Sequence, residues 1–282
     1  MRKELLVFQT DFTYLEGAVC AMYGVVKSVD RDLDIIDGTH QIPQYDTWSA
    51  SYRLYQSMKF WPEGTVFVSV VDPGVGTKRK ASVAKTADGY YVVTPDNGSL
   101  THLAKMVGIV EIREIDETIN RLKGKNTEAV SVFHGRDLFA YCAARLASGI
   151  ITFQQVGESY PVDEIICHDI IIPEVKQGEI NGIIEIEDPN FGNSWTNISL
   201  KQFLEAGFKY GDMVKAVITH GDEIVFDETI PFHKSFGFVS KGEPTLYNNE
   251  LLNVAFALNQ GSFMNKYKVT FGADWKVTFT AK

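Results

Sequence analysis

Apolar and polar positions follow one another in two styles along this chain, and the style changes near residues 160 to 180. Ahead of that point, β-branched runs take turns with segments of helical period. Strands are predicted over 5–10, 33–37, 65–71, 81–87, 90–94, 108–113 and 129–133, and helices over about 16–28, 46–58, 98–106 and 137–147. Such alternation predicts an α/β domain with a mostly parallel sheet and helices on both faces. Past Pro173 the helical period fades. Runs such as Gly182-Ile183-Ile184-Glu185-Ile186 and Met213-Val214-Lys215-Ala216-Val217-Ile218 are punctuated by Gly and Asp, which predicts a smaller all-β, barrel-like domain. The expected division is 1–172 and 173–282, with no repeat and no low-complexity tract.

Composition agrees with two cores. A chain of 282 residues with 45% hydrophobic and 22% charged content exceeds the ~100–200 residues typical of one domain. The formal charge of −9, with Lys78-Arg79-Lys80 as the only basic cluster, excludes a nucleic-acid surface, because phosphate binding needs clustered cations. A small molecule, favoured if cationic, is the expected partner. Cys20, Cys142 and Cys167 are widely spaced and odd in number, which fits reduced thiols in a cytoplasmic protein better than a disulfide frame. The apolar run Leu5-Leu6-Val7-Phe8 is too short for a signal peptide or a membrane span. No His, Cys, Asp or Glu set has metal-ligand spacing, so neither a metal nor a separate cofactor is expected.

Candidate chemistry gathers where strands end. Asp72, in Val71-Asp72-Pro73-Gly74-Val75-Gly76, follows a buried strand and enters a loop forced tight by Pro and Gly, with Arg79 just beyond. Open α/β sheets place ligands at such carboxyl ends. His134, in Phe133-His134-Gly135-Arg136-Asp137, is delivered by a short Val-Ser-Val-Phe run to a glycine ahead of a helix. His40, His102, His168, His220 and His233 carry no comparable flanking pattern. Asp11 ends the first strand before a helix, so it either caps that helix or grips hydroxyls such as a ribose diol. Thr94-Pro95-Asp96-Asn97-Gly98 reads as a turn with a cap. In the second domain, Asp188 to Ile198 concentrates an acid, three amides and two aromatics. Phe191 and Trp195 either stack a flat heterocycle whose edge Asn193 reads, or fill the barrel core.

These motifs together resemble the S-adenosylmethionine hydroxide adenosyltransferase family, the hydrolytic relatives of the fluorinase and chlorinase enzymes. The resemblance rests on Gln9-Thr10-Asp11, Val70 to Gly76 followed by Arg79, Pro95 to Gly98, Phe133 to Asp137, and Phe191-Gly192-Asn193 with Trp195-Thr196-Asn197-Ile198, in order from residue 5 to about 262. It implies an N-terminal α/β domain, a C-terminal β-barrel, and a homotrimer whose sites form between the N-terminal domain of one subunit and the C-terminal domain of its neighbour. It implies Asp72, Arg79 and His134 as the catalytic trio and Asp11 as the ribose-binding acid. It further implies Asp188, Phe191, Asn193 and Trp195 as methionine- and adenine-side contacts, with Asn249 as a further substrate contact. Halogenating relatives replace the acid of the Asp-Pro-Gly motif by tyrosine and lose the histidine, so water is the nucleophile that the resemblance implies here. The chain departs from the family pattern at Glu16, at Tyr247 to Leu251, and in a run into Asn259-Gln260-Gly261 that is two residues longer.

The expected reaction is hydrolysis of S-adenosyl-L-methionine to adenosine and L-methionine. A sulfonium leaves as neutral thioether and needs no general acid, so the demand falls on water, which must be oriented and deprotonated. Three other readings stay open at this stage: halide transfer, a binding protein with little catalysis, and a metal-dependent phosphoesterase using Asp11, Asp72 and His134 as ligands.

Overall fold

The computed structural model describes residues 3–124, 127–130 and 132–281. The chain divides into two compact units, Met1–His168 and Asp169–Lys282. In the first, strands β1 (Leu6–Thr10), β2 (Ile35–Thr39), β3 (Val66–Val70), β4 (Ala81–Thr86), β5 (Tyr91–Pro95), β6 (Ile109–Glu114) and β7 (Ser159–Tyr160) form one sheet in the order β2-β1-β3-β5-β4-β6-β7. Its helices are α1 (Ala18–Val29), α2 (Thr47–Met58), the single turn α3 (Glu117–Asn120) and α4 (Tyr141–Ala147).

Every residue of β1 and β3 is buried, as expected of central strands covered on both faces. The two-residue side-chain period sorts them. Leu6, Phe8, Val66 and Val68 pack with Met22 and Val26 of α1 and Cys142 to Ala144 of α4. Val7 and Phe67 point the other way, toward Leu54 and Met58 of α2. Helices on both faces are therefore as expected.

A mostly parallel sheet is not what forms. The pairs β1–β2, β1–β3 and β3–β5 are parallel, whereas β4–β5, β4–β6 and β6–β7 are antiparallel. The cause is the connection between β4 and β5. Gly89, at φ 84°, donates its N–H to Thr86 at 3.1 Å, and a reversal that short admits only antiparallel pairing. The strand predicted over 129–133 is also absent among the described residues: Thr127–Ala129 is a 3-10 turn and Val132 is exposed. Ser131, within that prediction, lies outside the described residues. The helix predicted over 98–106 begins instead at Thr101 and closes as a π-helical turn, Leu103–Val107.

The second unit is built from β8 (Glu174–Lys176), β9 (Glu179–Asp188), β10 (Asn193–Ser199), β11 (Met213–His220), β12 (Glu223–Pro231), β13 (Pro244–Asn248), β14 (Asn253–Leu258) and β15 (Trp275–Ala281), with short helices α5 (Leu200–Glu205) and α6 (Phe263–Tyr267). Antiparallel pairing runs β12-β11-β15-β9-β10-β14-β13, and the ends approach at a bridge between Phe232 and Leu246. The His233 N–H donates to the Leu246 carbonyl at 2.9 Å beside it. The result is a nearly closed, barrel-like sheet filled by Phe203, Phe208, Phe232, Phe256, Phe263 and Phe279. Among the described residues no helix is long and apolar enough to cross a membrane.

Phe8, fully buried on the central strand, tests this core. Phe8→Ala is expected to lower unfolding free energy by about 3–5 kcal/mol, read from urea denaturation midpoints. A loss below about 1 kcal/mol would contradict the packing described.

Candidate active site

Thr10 and Val70 stand side by side at the ends of parallel β1 and β3, so the chain leaves the sheet at neighbouring points. Asp11 follows the first and Asp72 the second. The Val71 carbonyl accepts an N–H from Asn97 Nδ2 at 2.9 Å, which fixes the chain just before Asp72. The loop then closes on itself. Val75 N–H donates to the Asp72 carbonyl at 3.2 Å, and the Thr77 hydroxyl donates to the Gly74 carbonyl at 2.6 Å. A Cβ on Gly74 would press the Arg79 side chain at 3.3 Å, so the missing side chain lets the arginine stem pass close by.

That turn returns Arg79 to Asp72. Arg79 Nε donates to both carboxylate oxygens at 3.0 and 3.1 Å, and Nη2 to Oδ2 at 2.5 Å. The two side chains are 8% and 5% exposed. The same Nη2 lies 2.9 Å from His134 Nδ1, and the guanidinium carbon sits 5.2 Å from the centre of the Phe139 ring. Arginine only donates, so His134 Nδ1 is the acceptor and the ring proton is on Nε2. Burial is the largest cause pushing the His134 pKa below its ordinary value, followed by the positive charges of Arg79 and Arg121. Among the described residues Arg79 Nη1 has no hydrogen-bond partner.

His134 reaches this point differently from the prediction. It opens a helical segment rather than ending a strand, and a π-helical turn, Gly135–Ala140, carries it into α4. Such turns are frequent at functional sites. Gly135 lies against the Phe12 ring, which brings the histidine's segment to the residue after Asp11.

Asp11 does not cap α1, whose N-cap is Gly17 with no side-chain hydrogen bond. Its Oδ2 accepts the Tyr45 N–H at 2.9 Å, from a residue at φ 65°. Burial raises the Asp11 pKa, hydrogen bonds oppose this, and the negative charge of Asp72 adds to the rise. The first unit thus gathers Asp11, Asp72, Arg79 and His134 at one edge of its sheet. Asp96 is buried away from this cluster, accepting from Ile166 N–H and Tyr160 O–H, in keeping with a structural turn.

In the second unit, a cleft of about 490 Å³ is lined by residues that include Phe191, Asn193, Phe236, Gln260 and Asn265. Phe191 is 65% exposed there. Asn193 is buried, and its Nδ2 donates to Asp188 Oδ2 at 2.9 Å, which fixes the amide. Gly192, at φ 70°, leaves no room for a Cβ, which would lie 2.6 Å from Ser262 Cα. Trp195 and Asn249 do not line this cleft. Trp195 is buried and donates Nε1–H to the Tyr247 hydroxyl at 3.2 Å. The Asn249 Oδ1 accepts from Leu251 and Asn253 N–H groups, and its buried Nδ2 has no partner among the described residues.

Two residues here escape the sequence reading. Tyr247 is buried, with its phenol pKa pushed up chiefly by that burial, and its oxygen is approached by Trp195 and Asn193. Phe236 lines the cleft and meets the Tyr247 ring edge-on at 5.5 Å. The apolar pair Leu246-Tyr247 signals a buried strand but not the partners of the phenol oxygen. Phe236, which opens a 3-10 turn among Ser, Phe and Gly, carries none.

Comparison with known proteins bears on both units. The model of the SAM hydroxide adenosyltransferase N-terminal domain matches residues 6–157, and that of the C-terminal domain matches 182–276. An (R)-S-adenosyl-L-methionine hydrolase of Methanocaldococcus jannaschii is 35% identical over 237 residues, 83% of this chain and 80% of that protein. A fluorinase of Actinoplanes sp. is 26% identical over 298 residues, 97% of each chain. The crystal structure of an uncharacterized conserved protein from Thermotoga maritima superposes with a TM-score of 0.87 at 32% identity, covering 98% of this chain and 100% of that one.

The neutral, buried state of His134 has a pH signature. An imidazole whose pKa is lower in the folded state than in the unfolded chain favours folding above about pH 6.5. That contribution is lost as pH falls below this value toward the folded-state pKa, because the unfolded chain takes up the proton first. Between pH 7.5 and 5.0 the urea midpoint of the wild type is expected to fall further than that of His134→Asn. Equal falls would contradict the neutral assignment.

Proposed function

Because this chain belongs to the S-adenosylmethionine hydroxide adenosyltransferase family, we propose that it hydrolyses S-adenosyl-L-methionine to adenosine and L-methionine through the cluster of Asp72, Arg79 and His134. The observation that carries the assignment is the set of hydrogen bonds from one guanidinium to the carboxylate and the imidazole. In the proposed reaction, a water oxygen attacks C5′ of the ribose from the side opposite sulfur, at an approach of ~3–3.5 Å. The new C–O bond forms as the C5′–S bond breaks, and its electron pair neutralises the sulfonium. The water proton passes to the Asp72 carboxylate, whose oxygens keep lone pairs beyond those bonded to Arg79, or to His134 Nδ1 once Arg79 Nη2 gives up its bond to that nitrogen, while the remaining Arg79 Nη1 donors hold the oxygen by charge-assisted hydrogen bonds.

Asp11 accepts from the ribose hydroxyls in this reading, supported by its position beside Asp72. The second unit's cleft receives the base and the amino-acid end. Phe191 offers an exposed ring face and Asn193 an amide fixed by Asp188, while Trp195 acts from behind through Tyr247, whose ring meets the cleft-lining Phe236. The proposal includes a homotrimer in which one subunit's cleft serves a neighbour's cluster, and a cytoplasmic setting consistent with three free thiols. The proposed reaction calls on no metal. Among the described residues no group of three or more His, Cys, Asp or Glu side chains is placed to hold one, and both Asp72 oxygens accept from the Arg79 cation.

Incubation with S-adenosylmethionine in ¹⁸O-labelled water is expected to yield methionine and adenosine labelled at the 5′ oxygen, at a rate unchanged by EDTA. Unlabelled adenosine, or loss of activity on chelation, would refute the mechanism. Asp72→Ala and His134→Ala are expected to lower kcat by on the order of 10²-fold or more with KM nearly unchanged. Phe191→Ala is expected to raise KM instead, by the ~1–3 kcal/mol that a stacked base contributes. The opposite pattern would reverse the assigned roles.

A further inference from the structure

His40 carries no telling sequence pattern, yet it is 1% exposed and every polar atom of its ring is engaged. It stands just past the end of β2, the strand beside β1. Its Nδ1 lies 2.7 Å from Thr10 Oγ1. That hydroxyl also accepts the Phe12 N–H at 3.1 Å. The ring's Nε2 lies 2.9 Å from the Tyr23 hydroxyl and 3.1 Å from Asp37 Oδ1. A carboxylate only accepts, so the ring proton is on Nε2, and in the neutral ring Nδ1 accepts from the Thr10 hydroxyl. The His40 carbonyl meanwhile accepts the Thr13 N–H at 2.9 Å. Thr13 has φ 58°, a left-handed backbone that costs a non-glycine residue free energy unless its surroundings hold it.

The residues before and after Asp11 are thus tied to one histidine. Thr10 is held through its hydroxyl, Phe12 through that same hydroxyl, and Thr13 through the histidine's carbonyl. Asp11, between them, is left with its side chain directed by this frame and by the Tyr45 N–H. We infer that His40 is the positioning residue for Asp11, setting the direction in which that carboxylate meets a substrate's hydroxyl groups. The inference rests on the reading of Asp11 as the group that grips the ribose. It adds that the grip depends on a neutral imidazole acting through Thr10, without contact between His40 and substrate. Burial, which pushes the His40 pKa down, keeps the ring in that neutral form.

A role in substrate alignment predicts a split between kinetic parameters that a loss of stability alone does not give. With S-adenosylmethionine as substrate, His40→Ala is expected to raise KM at least tenfold and to change kcat less than threefold. Thr10→Val, which keeps shape and removes only the hydroxyl, is expected to shift KM in the same direction and serves as the test if His40→Ala does not fold. His40→Asn, whose Oδ1 can accept the Thr10 proton, is expected to recover most of the lost affinity. In Asp11→Ala, adding His40→Ala is expected to raise KM no further, since neighbours acting as a unit are not additive. Thr10→Val with wild-type KM, or additive penalties in the double variant, would overturn the inference. If Asp11→Ala weakens binding while the His40 and Thr10 variants do not, only this inference falls; if Asp11→Ala itself binds as the wild type, the ribose reading of Asp11 falls with it.

Discussion

One guanidinium, held between a carboxylate and an imidazole with little access to solvent, is the interaction on which the cluster depends. A buried cation is tolerable only with a partner, and removing one member of such a pair costs about 3–5 kcal/mol because the other is left uncompensated. Arg79 meets that demand by giving three hydrogen bonds to Asp72 and one to His134. The donor-only chemistry of arginine then dictates the histidine tautomer. Charge balance, ring orientation and proton location therefore follow from a single side chain, and the tight Gly74 to Thr77 loop brings it back to Asp72.

The fold supplies what that interaction needs. Parallel β1 and β3 end in register, which places Asp11 and Asp72 as neighbours without any long-range constraint beyond the sheet itself. The antiparallel half of the same sheet contributes no member of the cluster, and its buried acid, Asp96, is consumed in holding Ile166 and Tyr160. Anion next to anion is costly; the Asp11 pKa is raised chiefly by burial, and the negative charge of Asp72 adds a smaller part. The arginine offsets that cost on one side, and the Tyr45 N–H on the other.

Much of this was legible in the sequence. The strand ahead of Asp72, the Pro and Gly that tighten its loop, and the presence of two domains of different style are all visible in it. What failed did so for identifiable reasons. Alternating strands and helices predict a mostly parallel sheet, yet strands predicted over 81–87 and 90–94 leave only two residues between them, room for a hairpin and nothing else. Val and Phe ahead of His134 predict a strand there; apolar residues in a loop beside a packed helix give the same local pattern. His40 and Tyr247 matter through partners 30 and 52 residues away, and no window along the chain brings such pairs together.

The two sheets also share a way of ending. In the first, the outer strands are β2, which carries exposed Asp37 and Gly38, and β7, only two residues long. In the second, the ends of the path turn toward one another at Phe232 and Leu246, and β13 opens on a proline. Unpaired backbone amides on a long flat border would recruit foreign strands. Among the described strands these four borders are short, charged or turned inward, so a foreign strand finds little room to extend either ladder there.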